Sequence, residues 1–329
     1  MDVNKARTSV KADLHRLFSG KLKVQLQALD TVRQQAVKRL LIACIVVPVV
    51  SLLGFAYIQA NYMDPDLIFW VVGLSAMLMY WFVMSKWSSY RRDYKTQVVG
   101  KLLSTFNSSF KYAPTGQVSS VKYKDSGLYP RAYDRYEGED YVIGKLGKTL
   151  IEFSELHTQY KTTTRDSKGR TTTNWHTIFK GLFFVADANK HFKSKTYIRP
   201  DSSGLFSSLG KSIGNLLGTR DARVALEDPE FERFFEVYSN DQVEARYLIS
   251  PALMRRLIAF RQEADASVAL SFVGGQLYIA IPTRKAYFEP KLFKPAVNMD
   301  VIEEIYQDLD FITGIVEDLD LNTRIWTKE

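Results

Sequence analysis

Cysteine is almost missing from this chain: Cys44 is the only one in 329 residues, which excludes an intrachain disulfide and any thiolate metal cluster. Histidine is nearly as scarce, with four, and charge is wholly absent from two stretches, residues 40–58 and 67–84. Neither stretch holds Asp, Glu, Lys, Arg or His, so the intramembrane ionisable groups that mark proton relays and ion paths are lacking. With Gly 18, Pro 10 and 46% hydrophobic residues, the composition excludes collagen-like, low-complexity and mostly disordered chains.

The charge-free stretches are themselves informative. LLIACIVVPVVSLLGFAYI and LIFWVVGLSAMLMYWFVM contain nineteen and eighteen residues, and as helices at about 1.5 Å per residue they approach the thickness of a bilayer core. Only QANYMDPD separates them, so they predict a transmembrane helical hairpin with both chain ends on one side. Tyr57, Tyr62, Trp70, Tyr80, Trp81 and Trp87 fall near the span ends, where amphipathic rings prefer the interface. Pro48 removes one backbone hydrogen bond from the first span, and Cys44 there reads as a small apolar residue.

The formal charge of +8 sits around this hairpin. Residues 1–39 hold nine Lys/Arg against three Asp, residues 85–112 hold six against one, and the connecting loop has only Asp64 and Asp66. The remainder is nearly neutral, with 29 basic against 30 acidic residues. Because Lys and Arg are retained on the cytoplasmic face, both ends are expected in the cytoplasm. Lys38, Arg39, Lys86, Arg91 and Arg92 are then candidate contacts to anionic headgroups, and the basic balance gives no reason to expect nucleic acid.

Apolar residues at three- and four-residue spacing continue past both spans: Leu22, Leu26, Leu29, Val32 and Ala36 before the first, Trp87, Tyr90, Tyr94, Val98, Leu102 and Phe106 after the second. The helices therefore extend out of the membrane, packing on each other, on the domain below, or as an oligomerising stalk. From about residue 113 the pattern turns β-like. Residues 141–146, 149–163 and 170–186 are rich in Thr, Tyr, Phe and Ile, and RDSKGR marks a turn between the last two, predicting a long antiparallel hairpin with a polar tip. A short helix near Pro229, a strand at 235–238, a helix from about Ser250, a second hairpin across Gly274-Gly275 and a closing helix over 299–319 complete an α+β order. The expected division is a cytoplasmic amphipathic helical region (1–39), a transmembrane hairpin (40–84), a helical stalk (85–112) and a cytoplasmic α+β domain (113–329), the last divisible into β-rich 113–203 and α+β 219–329.

Residues 204–218, GLFSSLGKSIGNLLG, superficially suggest a phosphate loop at Gly210-Lys211-Ser212, but position 205, where that motif needs glycine, is leucine. The pattern fits an amphipathic helix with Leu205, Phe206, Leu209, Ile213, Leu216 and Leu217 on one face, which either lies on the bilayer or covers a groove of its own domain.

EDPEFERFFEVYSNDQVEARYLISPALMRR, GGQLYIAI, FEPKLFKP and the terminal LNTRIW resemble a family of bacterial two-span inner-membrane proteins of unknown function, sometimes mislabelled galanin. The resemblance implies an inner-membrane protein with a cytoplasmic domain and brings no catalytic residues with it.

Chemistry is sparse. His157 and His176 would lie nearly opposite on the long hairpin, position 159 pairing with 176, and Glu152 and Glu155 are nearby carboxylates without ligand spacing; no metal or cofactor is expected. Asp241, Glu244 and Arg246, with Arg324 and Trp326 near the C-terminus, form either a structural charge-assisted network or a ligand or peptide pocket beside Tyr238 and Tyr247. No nucleophile elbow, phosphate loop or metal motif accompanies them. The expected function is a non-enzymatic membrane-anchored interaction or scaffold protein whose partners are the bilayer and another protein or its own copies. The alternative is a lipid-handling protein using residues 204–218, with a hydrolase behind both.

Overall fold

The computed structural model describes residues 21–61, 64, 66–147, 149–188, 193–200, 222–264, 267–296, 298–300 and 302–307. They form two compact units, one within Met1–Leu102 and Phe288–Gln307, the other within Leu103–Tyr287 and Asp308–Glu329. The chain is α+β, with long apolar helices first and a large antiparallel sheet after them.

In the first unit, α1 (Lys21–Ala60) and α2 (Leu67–Tyr94) lie side by side. Both are long and apolar enough to cross a membrane, and only 6% and 0% of their most apolar stretches are buried. A core helix of a water-soluble protein would be mostly covered, whereas Leu52, Leu53, Phe69, Trp70, Met77 and Trp81 are all more than half exposed. Close approach of the two helices is set at Gly54, where a Cβ would come within 2.9 Å of Val71 Cγ1. Arg39 ties the helices where they leave the apolar stretch: its guanidinium lies 4.2 Å from the Phe82 ring centroid and donates to the Phe82 carbonyl at 3.0 Å.

The predicted stripes beyond the spans are indeed where burial begins. Leu26, Leu29, Ala36, Tyr90, Tyr94, Val98 and Leu102 are all under 4% exposed. After Tyr94 the helix passes through a π-helical turn, Lys95–Val99, into α3 (Gly100–Phe106). The wider turn puts Lys95, Val98 and Val99 inside together.

What covers Lys95 comes from far along the chain. Residues 288–296, the FEPKLFKP segment and Ala296, cross the helical pair as a strap, so they group with the helices and not with the sheet that precedes them. Glu289 accepts two hydrogen bonds from Arg91 (2.7 and 2.5 Å) and an ion pair from Lys95 Nζ at 2.6 Å, with Lys95 only 2% exposed. Farther along, the Leu292 carbonyl accepts from Arg33 at 2.9 Å, and the Ala296 amide donates to Asp30 Oδ1 at 2.8 Å. Lys291 pairs with Glu304, and residues 302–307 are helical, with Ile302 and Ile305 buried. Of the closing helix expected over 299–319, residues 308–319 lie outside the described residues.

In the second unit nine strands form one antiparallel sheet: β1 (Lys111–Ala113), β2 (Arg135–Leu146), β3 (Thr149–Arg165), β4 (Thr171–Asp187), β5 (Thr196–Pro200), β6 (Ala222–Arg223), β7 (Phe235–Ser239), β8 (Ala269–Val273) and β9 (Gln276–Pro282). Their spatial order is β1-β2-β3-β4-β9-β8-β5-β7-β6. The β8–β9 hairpin turns on Gly274 and Gly275, both at positive φ (61° and 80°), as a two-residue turn of matching twist requires. Over residues 181–186 both faces of β4 are covered, so that part reads as the unbroken apolar run LFFVA where a half-exposed strand would alternate. On one face a short helix, α4 (Ser120–Asp125), lays Tyr123 over Phe183 with ring centroids 5.3 Å apart, and the Tyr123 hydroxyl meets Thr158 Oγ1 at 3.0 Å. Helices α5 (Pro229–Phe234), α6 (Gln242–Leu248) and α7 (Pro251–Ala264) follow, with Leu253, Leu257 and Phe260 of α7 buried as their spacing predicts.

Two expectations follow. At Gly181, φ is +155° and an added Cβ would fall 2.1 Å from the Ile281 carbonyl oxygen on β9, so Gly181→Ala should lower stability by about 2 kcal/mol or more in chemical denaturation of the full chain in detergent. Burial disfavours the charge of Glu289, but the bonds from Arg91 and Lys95 outweigh it and hold its pKa below the usual glutamate value. A carboxyl with depressed folded-state pKa stabilises above its unfolded value, and that contribution is lost as pH falls through the folded value. Glu289→Gln should therefore cost about 3 kcal/mol at neutral pH, and the gap to wild type should close as pH drops below about 4.

Candidate functional site

The β3–β4 hairpin outruns its neighbours. The pairing of β2 with β3 begins at Arg135↔Gln159 and that of β4 with β9 at Gly181↔Pro282, so the strand residues within 160–176 pair only with each other. Residues 161–177 are exposed throughout. Threonine runs at 162–164 and 171–173 keep the ribbon extended while giving water a polar side chain on each face. The tip is closed by Asp166, whose Oδ1 accepts the amides of Lys168 (2.9 Å) and Arg170 (2.8 Å).

Register assigns the ribbon's faces. Tyr160, Thr162 and Thr164 sit opposite His176, Asn174 and Thr172, and on the reverse face Lys161, Thr163 and Arg165 sit opposite Trp175, Thr173 and Thr171. At its base Arg131 lies 3.6 Å from the Tyr160 ring centroid, and Tyr160 stacks on His176 at 4.9 Å. On the reverse face Arg135 lies 4.2 Å from the Trp175 ring. Both guanidiniums are thereby held against flat apolar surfaces, and Arg135 also donates to Gln159 Oε1 at 3.2 Å and pairs with Glu137 at 3.6 Å. Lys161, Arg165, Lys168 and Arg170 add cationic charge, against which stand Asp134, which accepts the Lys161 amide at 2.8 Å, and Asp166 in the turn. The ribbon is cationic, aromatic at its base, and among the described residues has two backbone edges without strand partners.

An extra residue, Ile178, enters β4 between the Thr158↔Phe179 and Gln159↔Thr177 pairs. It places His157 opposite Lys180, whereas the turn, which closes between Arg165 and Thr171 and so is centred on Lys168, places Tyr160, not position 159, opposite His176. The two histidines do not converge on a metal: His157 Nε2 is 3.2 Å from Thr177 Oγ1, and His176 Nε2 is 2.8 Å from Thr162 Oγ1. Burial, then the neighbouring Lys180 and Arg135, lowers the His157 pKa against the pull of Glu137, so it is neutral at physiological pH.

A cavity of about 690 Å³ opens on the α4 face of the sheet, lined in part by Lys122, Asp125, Glu152, Asp187, Lys195 and Tyr278. Glu152 is 6% exposed and doubly held, by Lys122 Nζ and by the Tyr141 hydroxyl at 2.6 Å. Burial, and then the charges of Asp125 and Glu152, push the Tyr278 hydroxyl up to about 12, and burial with the Glu152 hydrogen bond also raises Tyr141. These phenols stay protonated, and Tyr141 donates its proton to the bond with Glu152. The lining mixes lysines and carboxylates of matching number, with no activated nucleophile beside a base.

The residues singled out from DQVEARY serve local architecture. Asp241 caps α6, accepting the amides of Val243 (2.9 Å) and Glu244 (3.0 Å). Glu244 turns to the preceding connection, accepting the amides of Ser194 (2.6 Å) and Lys193 (3.4 Å); burial raises its pKa, yet these bonds win and lower it. Arg246 reaches the Ala225 carbonyl at 3.4 Å. Arg324 and Trp326 lie outside the described residues, as do Leu205, Phe206, Leu209, Ile213, Leu216 and Leu217. Among the flanking cations Lys38 and Arg92 are exposed, Lys86 is half-buried, Arg39 is engaged with Phe82, and Arg91 with Glu289.

The stacked guanidiniums of Arg131 and Arg135, the doubly held Glu152 and the Glu289 cluster escape a sequence reading. Each depends on partners brought together by strand register or by separations as long as 198 residues. The FEPKLFKP motif was the visible trace of the last.

Residues 177–321 match a family described as a protein of unknown function, DUF3137, which places that part of the chain beside an uncharacterised family. No curated protein matches the chain. Among solved structures it is similar to the mycobacterial trehalose monomycolate transport factor A, TtfA, at 12% identity over 64% of this chain and 88% of that one, with a TM-score of 0.32.

Proposed function

We propose that this chain is a non-enzymatic docking protein, anchored in a bacterial inner membrane by the hairpin of residues 40–84, with a stalk at 85–112 and the sheet-bearing domain in the cytoplasm. The membrane assignment rests on two apolar, largely unburied helices, and the cytoplasmic orientation on the Lys and Arg that flank them while none lies in the loop between. The observation that carries docking is the ribbon of residues 160–176, cationic and, among the described residues, without a strand partner at either edge. A partner segment that is extended and acidic satisfies both features: its backbone adds to an open edge, and its carboxylates meet Arg131, Arg135, Lys161 and Arg165. A second copy of the chain or another protein can supply it, and light scattering of the purified particle separates the two.

The test is charge reversal on the ribbon of the full chain. Lys161→Glu with Arg165→Glu and Arg170→Glu should reduce partner recovery in crosslinked membrane pull-downs by roughly tenfold or more, while resistance to carbonate extraction is unchanged. Recovery equal to wild type would remove the ribbon from the function.

The alternative, a lipid-handling protein, is motivated by the amphipathic pattern of residues 204–218. It expects vesicles carrying the full chain to exchange fluorescent lipid faster than protein-free vesicles, and Phe206→Ser with Leu209→Ser to abolish the gain. Docking alone expects no such gain.

A further inference from the structure

The strap that covers Lys95 leaves one large apolar side chain facing outward. Phe293 is 75% exposed, as much as Phe69 (73%) and Trp81 (74%) on the apolar helices. It is not on a loose loop. The chain on either side is held by Glu289 to Arg91 and Lys95, by the Leu292 carbonyl to Arg33, by Lys291 to Glu304 and by the Ala296 amide to Asp30. Pro290 and Pro295 bracket the outward residues and restrict their backbone further.

The anchor points locate Phe293 relative to the apolar stretches. Arg33 lies seven residues before Leu40, and Arg91 seven after Met84, so both stand about 10 Å along the helix axis from the ends of the charge-free segments. Arg33 is itself bonded to Asp30 at 2.7 Å, so the Leu292 carbonyl and the Ala296 amide are fastened to one ion pair, and the exposed Phe293–Lys294 pair projects between those two anchor points. The headgroup layer is roughly 5–8 Å thick on each side, and an aromatic side chain spans much of the remaining gap. Next to Phe293 in the strap is exposed Lys294, and on the helices exposed Lys38 and half-buried Lys86 lie nearer the charge-free segments than the anchor points do.

We infer that the strap is a third membrane contact: Phe293 seats its ring in the interfacial layer of an anionic leaflet, with Lys294 on the headgroup phosphates. An apolar side chain for the acyl boundary beside cations for the headgroups is the chemistry of interfacial anchoring. The inference rests on the membrane reading of residues 40–84, and the experiment separates the two.

Full-length chain carrying Cys44→Ala is reconstituted into vesicles of phosphatidylcholine with phosphatidylglycerol, with an environment-sensitive fluorophore on one introduced cysteine. Val49→Cys reports the first apolar stretch, Ser167→Cys the ribbon turn in water, and Lys294→Cys the strap with Phe293 intact. The Val49 label should be quenched by lipids brominated deep in the acyl chain. The Lys294 label should be quenched by headgroup nitroxide and be about threefold or more better protected from iodide than the Ser167 label. Adding Phe293→Ser should return it to the iodide sensitivity of Ser167. If the Val49 label sits in lipid while the Lys294 label is as open to iodide as Ser167, the strap contact is wrong and the anchor stands. Protection that persists with Phe293→Ser overturns the role of the ring, and a Val49 label quenched by iodide overturns the anchor and the strap contact together.

Discussion

A lysine that is 2% exposed needs an anion, and the helical unit is arranged around meeting that need. Lys95 sits in the π-helical turn among Tyr94, Val98 and Val99, a position from which its ammonium cannot reach bulk water. Glu289 neutralises it and takes Arg91 as a second, bidentate partner, so three charges share one site with a net of one. To deliver that carboxylate the chain must return to helices it left nearly two hundred residues earlier, and the return brings Leu292, Lys291 and Ala296 to their partners on the way. The strap, the covered stripes of α1 and α2, and the outward placement of Phe293 all follow from one buried charge.

The second unit depends on register. A sheet face is a sequence of alternate residues, and β3 keeps Ser154, Leu156 and Thr158 toward α4 while Phe153 faces the other way against Phe184. The one extra residue at Ile178 resets the phase beyond the core, and it is there that the strands cease to be covered and the ribbon begins. Burial ends and cations begin within a few residues, which is why a domain of nearly balanced charge presents a strongly basic arm.

What periodicity encodes was legible. The apolar stretches, the helical stripes beyond them, the long hairpin turning at RDSKGR and the glycine turn at 274–275 could be read because each is a local pattern of known repeat. The bulge at Ile178 was not, since an extra β-residue leaves no mark in composition, and neither was the centre of the turn, at Lys168, which shifted the expected partner of His176 by one. Asp241 and Glu244 invited a network because they are charged among aromatics; they turn out to cap a helix and to pin a connection, roles that depend on backbone amides a sequence does not display. Glu289 was inside a quoted motif, yet its meaning needed the distance between Arg91 and the strap, which is a property of the fold alone. Arg131 and Arg135 were hidden for the same reason, their aromatic partners lying on other strands.

The π-helical turn has a further consequence for how the chain tolerates change. A π-helical turn takes in one surplus residue over about the same rotation as an ordinary turn, so α3 continues in the direction it would have had without that residue. Deleting a single residue there would restore a uniform pitch and leave α3 facing as it does, but it would withdraw one of Lys95, Val98 and Val99 from the interior they now share. The surplus residue is what lets a buried lysine and its apolar neighbours turn inward together.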